Sequence, residues 1–329
     1  DVSLKNINPL AQIFVPKLYI SEDTYIKGRF FHESAKNYTI ESNIDTLIYG
    51  NNQFYNSLLT LSAEKYMDES EIDLELHFLS QKQKAGKIEL ENFELTANLE
   101  AKKINFDTFV RRSESEDEVF IKGTFDFTDS IQHLQIEPQK IVFFEHTWKL
   151  QDSILNLSID KQHIYFDNPV IFSSKKQEVW LNGGISPDPK ESLKIGVNDL
   201  NINVLSHFIK REVEGVLNVN AAINGVYDTL MANSTISIAD IKLEGYEMGT
   251  VLANSYWDNA KNHLVIDGML KQKEVEVLDL NGAYRMENEQ SPIDIDLKMI
   301  GLNLKTFEPF LVENVSQIQG NIYGAIKIK

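Results

Sequence analysis

The chain of 329 residues contains no cysteine, which excludes disulfide bonds and thiolate metal sites. Basic residues are comparatively few, since 32 Lys and Arg stand against 49 Asp and Glu, and the formal net charge is −17. A protein that neutralises nucleic-acid phosphates needs a basic stripe, and the sequence shows none. The same acidic excess argues against flat docking on an anionic membrane leaflet.

Long hydrophobic runs are also lacking, because no stretch approaches the roughly 18 to 20 apolar residues of a membrane span. Proline is scarce, with 8 residues, and the one acidic run, Glu114–Glu118, is short. Apolar residues make up 42% of the chain, which is enough to bury a sizeable core and oppose chain entropy. We therefore expect no internal linker and no disorder outside short loops.

An internal repeat is the strongest positive feature. Four short segments share a glycine with an aliphatic residue two positions before it and Phe, Leu or Ile two positions after: Tyr25–Phe30, Phe120–Phe125, Val213–Leu217 and Ile318–Ile322. Their glycines, Gly28, Gly123, Gly215 and Gly320, lie 95, 92 and 105 residues apart. An aliphatic-Asn pair precedes each glycine: Ile7–Asn8, Ile104–Asn105, Leu200–Asn201 and Leu302–Asn303. Such self-similarity predicts a linear array of units and not one closed domain.

The markers predict one continuous array over residues 1–329. Its approximate units are 21–110, 111–205 and 206–310, with the end of a preceding unit at 1–20 and the start of a further unit at 311–329. We therefore expect this chain to be a segment of a longer protein.

Apolar and polar residues alternate with a period of two in several stretches, which is typical of strands with one wet and one dry face. The sequence thus predicts an all-β fold, a long antiparallel curled sheet built from repeats of about five strands plus a loop. Helical periodicity is confined to short pieces after the aliphatic-Asn pairs, at 204–209 and 307–311. The apolar face could be covered in a closed sandwich, which periodicity alone favours, or could line an open trough, which the repeats favour.

The candidate lining residues are the apolar members of these strands. They are Ile72, Leu74, Leu76, Phe78, Phe93, Leu95, Leu99, Ile121, Phe125, Phe127, Leu217, Val219, Ile223, Ile293, Ile295, Leu297, Ile322, Ile326 and Ile328. The four repeat glycines are predicted to be structural, as bends, as sites of close backbone approach or as β-bulges.

No catalytic or metal-binding signature is evident. The seven histidines (His32, His77, His133, His146, His163, His207 and His263) show no pair at ligand spacing. Asp294 and Asp296 alternate with Ile, as on a solvated strand face, and Glu116–Glu118 are expected in a loop. Nucleophile elbows, phosphate loops and dinucleotide fingerprints are absent from the sequence. We expect no enzyme activity, no cofactor and no metal.

The repeat markers, together with the blocks Trp148–Leu157, Glu178–Ile185 and Gly301–Ile322, resemble the C-terminal half of TamB-family proteins and their AsmA-like relatives. Within that family, the sequence resembles members from the Bacteroidota. Four Asp-Ser/Thr-aliphatic triplets resemble the O-glycosylation motif of periplasmic proteins in that phylum: Asp45–Leu47, Asp129–Ile131, Asp152–Ile154 and Asp228–Leu230.

The resemblance implies a repeating-β-groove bridge in the periplasm, anchored in the inner membrane by a segment outside this chain and reaching the outer membrane. Its implied partners are phospholipid or another acyl lipid and a TamA-like Omp85 barrel, and nucleic acid is not among them. Two alternatives stay open at this level. One is a scaffold or chaperone for outer-membrane β-barrel assembly or secretion, and the other is a surface or adhesion module with closed apolar faces.

Overall fold

A computed structural model describes residues 2–3, 6–22, 24–32, 35–66, 72–86, 88–285, 292–307 and 319–328. The chain divides into two compact units, unit 1 at residues 1–160 and unit 2 at residues 161–329. Their boundary lies inside the predicted repeat unit 111–205, so the division into repeat units stays a prediction. In the described part of the chain, no helix has the length and apolar character needed to cross a membrane.

Unit 1 consists of strands and one short helix. Its elements are β1 (Val2–Ser3), α1 (Asn8–Phe14), β2 (Leu18–Ile20), β3 (Tyr25–His32), β4 (Ala35–Tyr49), β5 (Asn52–Tyr66), β6 (Asp73–Ala85), β7 (Ile88–Glu100), β8 (Lys103–Arg112), β9 (Glu118–Asp126), β10 (Gln132–Phe143), β11 (His146–Leu150) and β12 (Leu155–Asp160). Strands β3 to β10 pair in chain order, and every pairing is antiparallel. Strand β12 follows on β10, while the short β1, β2 and β11 pair with β3, β4 and β10.

Unit 2 repeats this architecture. Its elements are β13 (His163–Phe166), β14 (Val170–Ser174), β15 (Gln177–Ile185), β16 (Leu193–Asn201), a 3₁₀ turn (Ile202–Leu205), α2 (Ser206–Ile209), β17 (Val213–Asn224), β18 (Met231–Leu243), β19 (Tyr246–Asp258), β20 (His263–Gln272), β21 (Val275–Tyr284), β22 (Ile293–Asn303), a second 3₁₀ turn (Leu304–Phe307) and β23 (Asn321–Ile328). Strands β15 to β23 pair in chain order as an antiparallel meander. Strands β13 and β14 pair with different parts of β15.

The prediction of an all-β fold with a long antiparallel sheet is confirmed. Three of the repeat glycines lie in β3, β9 and β17, and the fourth, Gly320, directly precedes β23. The first of them is separated from the second, and the third from the fourth, by a run of strands that pair in chain order.

Bulges interrupt the long strands of unit 2 near one end. The register shifts around Gly215, Asp240 and Gly301, and each of these residues has a positive φ, of 150°, 51° and 123°. A bulge bends its strand and increases the local twist. These residues therefore give unit 2 the local bending that a curled sheet requires.

Three of the repeat markers are followed by a helical segment. In two of them the marker asparagine caps it: Asn201 and Asn303 each accept a hydrogen bond from the backbone N–H two residues later, at 3.0 and 2.9 Å. In the first marker Asn8 instead accepts the Ile20 N–H at 2.7 Å, and the preceding Asn6 accepts the Asn8 N–H at 2.9 Å. This side-chain bond satisfies a donor that the first helical turn leaves free. The predicted helical piece at 204–209 is thus observed, while residues 308–311 of the other piece lie outside the described residues.

The second marker departs from the predicted loop. Ile104 and Asn105 lie within β8, where Asn105 accepts a hydrogen bond from the Thr124 hydroxyl at 2.8 Å. In this copy the marker is therefore followed by a strand and not by a helical turn. Phe106, Thr108 and Phe109 favour a strand, and β8 is held to β9 by ion pairs such as Lys103–Asp126 at 2.9 Å.

Few apolar residues are buried in the part of the chain that the structure describes. The hydrophobic residues that count as buried among the described residues are Ile44, Val170, Ile202, Val204, Val213, Val277 and Leu302. In unit 2, Ile202 and Val204 belong to the 3₁₀ turn, and a Cβ on Gly215 would lie 3.1 Å from the Ile202 side chain. In unit 2 this packing joins the 3₁₀ turn to the start of β17, whereas in unit 1 Ile44 is buried within β4, and most of the described sheet surface lies outside these places.

Candidate functional site

One face of the unit 1 sheet is covered by rows of apolar side chains that run across the strands. Residues directly opposite each other on antiparallel strands point to the same face, so the register defines these rows. The central row is Gly28, Ile40, Leu61, Leu76, Ala97, Phe106, Gly123, Ile136 and Leu155. One flanking row is Phe30, Tyr38, Ala63, Leu74, Leu99, Ile104, Phe125, Leu134 and Leu157, and the other is Ile26, Ser42, Leu59, Phe78, Leu95, Thr108, Ile121 and Pro138. We call these three rows the unit 1 apolar face, and none of their residues is charged.

The opposite face of the same strands is polar. A row directly behind the central one reads Arg29, Thr39, Ser62, Glu75, Asn98, Asn105, Thr124, Gln135 and Asn156. The separation between the two faces is complete in these rows, as strict alternation requires.

Unit 2 has an equivalent surface. Its central row is Phe172, Val179, Val197, Val219, Ile236, Ala253, Gly268, Leu280, Leu297 and Ile326. One flanking row is Val170, Leu181, Ile195, Ala221, Ser234, Ser255, Ile266, Gly282, Ile295 and Ile328. The other is Leu200, Leu217, Ile238, Val251, Leu270, Leu278, Met299 and Gly324. These rows form the unit 2 apolar face, which also carries no charged residue. Behind it lies a polar row that includes Asn220, Thr235, Asn254, Asp267, Asn281 and Asp296.

Neither apolar face is sealed from water. Within the six rows only Ser42 and Val170 are buried, and every other residue keeps partial exposure to water. No described side chain is less than 2% exposed. The core of a closed sandwich would contain large apolar side chains at full burial and native packing density. The rows are therefore an accessible apolar surface.

Most candidate lining residues lie on these faces. Phe93, Ile223 and Ile293 extend the rows at their ends, opposite Ser80, Leu193 and Tyr284. Ile72 precedes β6 and is 46% exposed, and Phe127 follows β9 with its ring 5.9 Å from that of Phe125. Ile322, on β23, stands opposite Leu302 of β22.

The candidate lining set took residues from or beside β6, β7, β9, β17, β22 and β23, and so omitted the apolar residues of the other strands in these rows, although alternation is visible there, as in Ile236 and Ile238. It also missed Phe54, whose ring lies 5.7 Å from both Phe78 and Phe93. Strict alternation would place Phe54 on the polar face, but Asn56 has a φ of 50° and interrupts the alternation. A backbone irregularity of this kind leaves no clear signal in the sequence.

The repeat glycines occupy different environments. Gly28 and Gly123 lie in the same cross-strand row of unit 1, whereas Gly215 lies at a bulge of β17. Gly320 has a φ of 120°, and its carbonyl accepts the Leu304 N–H at 2.8 Å. Ile318 lies outside the described residues.

Acidic residues that could suggest chemistry are paired with cations. Asp294 lies 3.1 Å from Arg285, and Asp296 lies 3.1 Å from Lys327. Asp117 lies 3.1 Å from Arg112, while Glu118 contacts both Arg111 and Lys140. Hydrogen bonds from Arg285 hold the pKa of Asp294 below its usual range. These groups belong to the polar faces and strand ends, away from the apolar rows.

The polar face of unit 1 also contains a shallow cavity of about 390 Å³. Its lining includes Asn105, Asp107, Lys122 and Thr124. Asn105 bonds Thr124, and Lys122 lies 3.8 Å from Asp107. These side chains are used in cross-strand pairs of the sheet, and each of them is accounted for by that role.

The Asp-Ser/Thr triplets lie in two kinds of position. Ser130, Ser153 and Thr229 are exposed in turns between strands, whereas Thr46 lies within β4 opposite Tyr55. Their modification stays a prediction.

Fold and surface together define a class: a long antiparallel sheet protein with one continuous, uncharged and partly accessible apolar face in each unit. Comparison with known proteins does not assign the chain to a family, because no protein-family model, no curated protein and no solved structure matches it.

Proposed function

We propose that the chain is a segment of a non-enzymatic periplasmic bridge of the TamB kind, in which the apolar faces conduct the acyl chains of phospholipids between the inner and outer membranes. A TamA-like Omp85 barrel would receive the outer-membrane end, and the inner-membrane anchor would lie outside this segment. One observation carries the proposal: uncharged apolar rows cross nearly the whole sheet of each unit and remain accessible.

The length of the rows suits a path better than a pocket. Nine strands spaced by about 4.8 Å give the central row of unit 1 a length of about 38 Å. One leaflet of a bilayer is about 15 Å of hydrocarbon, half of the roughly 30 Å core. The row is therefore longer than an acyl chain needs for binding at a single place.

The energetics favour movement along the rows. Burying apolar surface is favourable by about 25 cal/mol per Å², or about 0.8 kcal/mol per methylene. Because each row offers similar aliphatic contact at every step, an acyl chain gains nearly the same free energy wherever it lies. A charged headgroup stays in water, since burying an unpaired charge is costly. The face thus holds lipid without trapping it at one position.

A second candidate is a scaffold for outer-membrane β-barrel proteins, and the sheet edges favour it. Strand β3 pairs with β1 only at Tyr25 and Ile26, so among the described residues Lys27–His32 have a partner strand on one side only. Strand β23 likewise pairs only with β22 in the described part of the chain. An extended polypeptide could add to such an edge by β-augmentation.

Photocrosslinking distinguishes the two candidates. A photoreactive residue placed at Leu76 or Val219 in cells of a bacterium with two membranes should form lipid adducts, because both positions lie in the central apolar rows. The matched control is Asn220, next to Val219 but on the polar face, and it should form none. Adducts to unfolded barrel segments from a photoreactive residue at Arg29, on the free edge of β3, with no lipid adducts at Leu76 or Val219, would contradict the conduit and support the scaffold.

A further inference from the structure

One pair of hydroxyl groups interrupts the unit 2 apolar face. Ser234 on β18 and Ser255 on β19 stand directly opposite each other, and their Oγ atoms lie 2.8 Å apart. Both residues are half-buried, and their row neighbours are Ala221 and Ile266. A hydroxyl pair in such surroundings has to satisfy its own hydrogen-bonding groups.

The pair retains one unused proton. Two hydroxyls carry two protons, and the bond between them uses only one. Among the described residues neither hydroxyl makes another hydrogen bond. The other two small hydroxyls of the apolar rows differ, because Ser42 donates to the Tyr25 carbonyl at 3.2 Å and Thr108 donates to the Glu94 carbonyl at 2.9 Å. Tyr38, the remaining hydroxyl of these rows, is 44% exposed to water and lies in unit 1. The serine pair is thus the half-buried place in the described rows where a donor remains available.

Small residues leave room for a ligand to approach this donor. Ala221 lies beside Ser234, and Ala253 and Gly268 stand opposite each other in the adjacent row. When hydrocarbon covers the pair, water leaves and the free proton loses its acceptor, which is unfavourable. When a carbonyl oxygen covers it, the proton is satisfied. The site therefore favours an ester-linked acyl chain, which has a carbonyl oxygen, over an ether-linked chain, which has none.

We propose that Ser234 and Ser255 form a hydrogen-bonding site for the ester carbonyl of an acyl lipid, which makes this face selective for ester-linked over ether-linked chains. This inference rests on the proposed function, since it assumes that acyl chains occupy the face. It adds one position of slightly stronger binding, equivalent to a single hydrogen bond, along a face that otherwise binds the chain about equally at every step.

The test compares two lipids of equal chain length on the full chain, a dioleoyl phosphatidylethanolamine and its dioleyl ether analogue, which lacks both carbonyls. The parent should bind the ester lipid about fivefold more tightly, the ratio expected from one hydrogen bond. Ser234→Ala combined with Ser255→Ala should bind both lipids equally, at the level of the ether. Ser255→Thr keeps a hydroxyl and should keep the preference, as should Thr235→Ala on the polar face of β18.

Equal binding of ester and ether lipid by the parent would overturn the inference, leave the conduit standing and assign the serine pair to cross-strand stabilisation. Binding of neither lipid by the folded parent would overturn the proposed function and this inference together. The parent comparison needs no variant, so it remains decisive even where a substitution weakens the fold.

Discussion

At the scale of single residues, the repeat glycine has different surroundings in two copies of the repeat. Gly28 and Gly123 occupy the same place in the repeat and the same cross-strand row, but their neighbours differ. A Cβ on Gly123 would lie 2.3 Å from the Phe106 ring and 2.8 Å from the Gln135 carbonyl. A Cβ on Gly28 would meet nothing closer than the Thr39 carbonyl, at 3.9 Å. Only Gly123 is required by close packing.

Alanine substitution should therefore have opposite effects at the two sites. Gly123→Ala should lower the free energy of unfolding by about 1 to 3 kcal/mol, because the methyl group overpacks against Phe106. Gly28→Ala should raise it by about 0.5 to 1 kcal/mol, because alanine loses less backbone entropy in a strand. Urea denaturation of both variants measures the difference. Equal destabilisation at the two sites would show that the repeat requires glycine for a shared reason.

The lining residues and the glycines differ in how far the sequence reveals them. Leu76 and Val219 could be assigned to the apolar face from alternation, because side chains in a strand switch faces at every residue. The role of Gly123 could not be predicted, since it depends on Phe106, its neighbour on another strand. The displacement of Phe54 likewise depends on the φ of Asn56, which a local pattern does not show.

At the scale of elements, the β8–β9 hairpin replaces the helical turn that follows the other markers. Its closed end is fixed by charge, because Arg111 lies 3.0 Å from Glu118 and Arg112 lies 3.1 Å from Asp117. Lys140 on the neighbouring strand β10 also contacts Glu118. The Asn-containing marker was visible in the sequence, but these pairs at the closed end of the hairpin join residues whose contact depends on the fold.

Glu118 should make this hairpin sensitive to acid. The hydrogen bond from Lys140, assisted by that from Arg111, lowers the pKa of the Glu118 carboxyl below its usual value. The folded state therefore releases this proton more readily than the unfolded chain, so the contribution to stability is full at pH values above the ordinary carboxyl pKa. It is lost as the pH falls through the lowered pKa of the folded state.

Thermal denaturation of Glu118→Gln from neutral to acidic pH measures this effect. The variant should melt below the parent near neutral pH, and the two curves should converge in acid. Glu116→Gln, an exposed neighbour in the preceding turn, serves as the control and should follow the parent throughout. A gap between parent and Glu118→Gln that stays constant over the whole range would contradict the assignment.

At the scale of the whole molecule, the account depends on the apolar faces being open. The sequence predicted an antiparallel sheet with an apolar face from its period-two alternation, and the structure has one in each unit. Periodicity could not decide whether a second layer covers this face, because a sandwich core and an open face share the same alternation. The partial exposure of residues such as Leu76, Val219 and Leu297 separates the two cases.

The most direct test of the conduit is lipid mass spectrometry on the full chain purified from a bacterium with two membranes. The parent should carry phospholipid, and a folded variant with Leu76→Asp, Val219→Asp and Leu297→Asp should carry little, because a carboxylate in the central rows disfavours hydrocarbon contact. Asn220→Asp, on the polar face, should keep its lipid. A lipid-free parent, or a folded triple variant that retains phospholipid in full, would contradict the account.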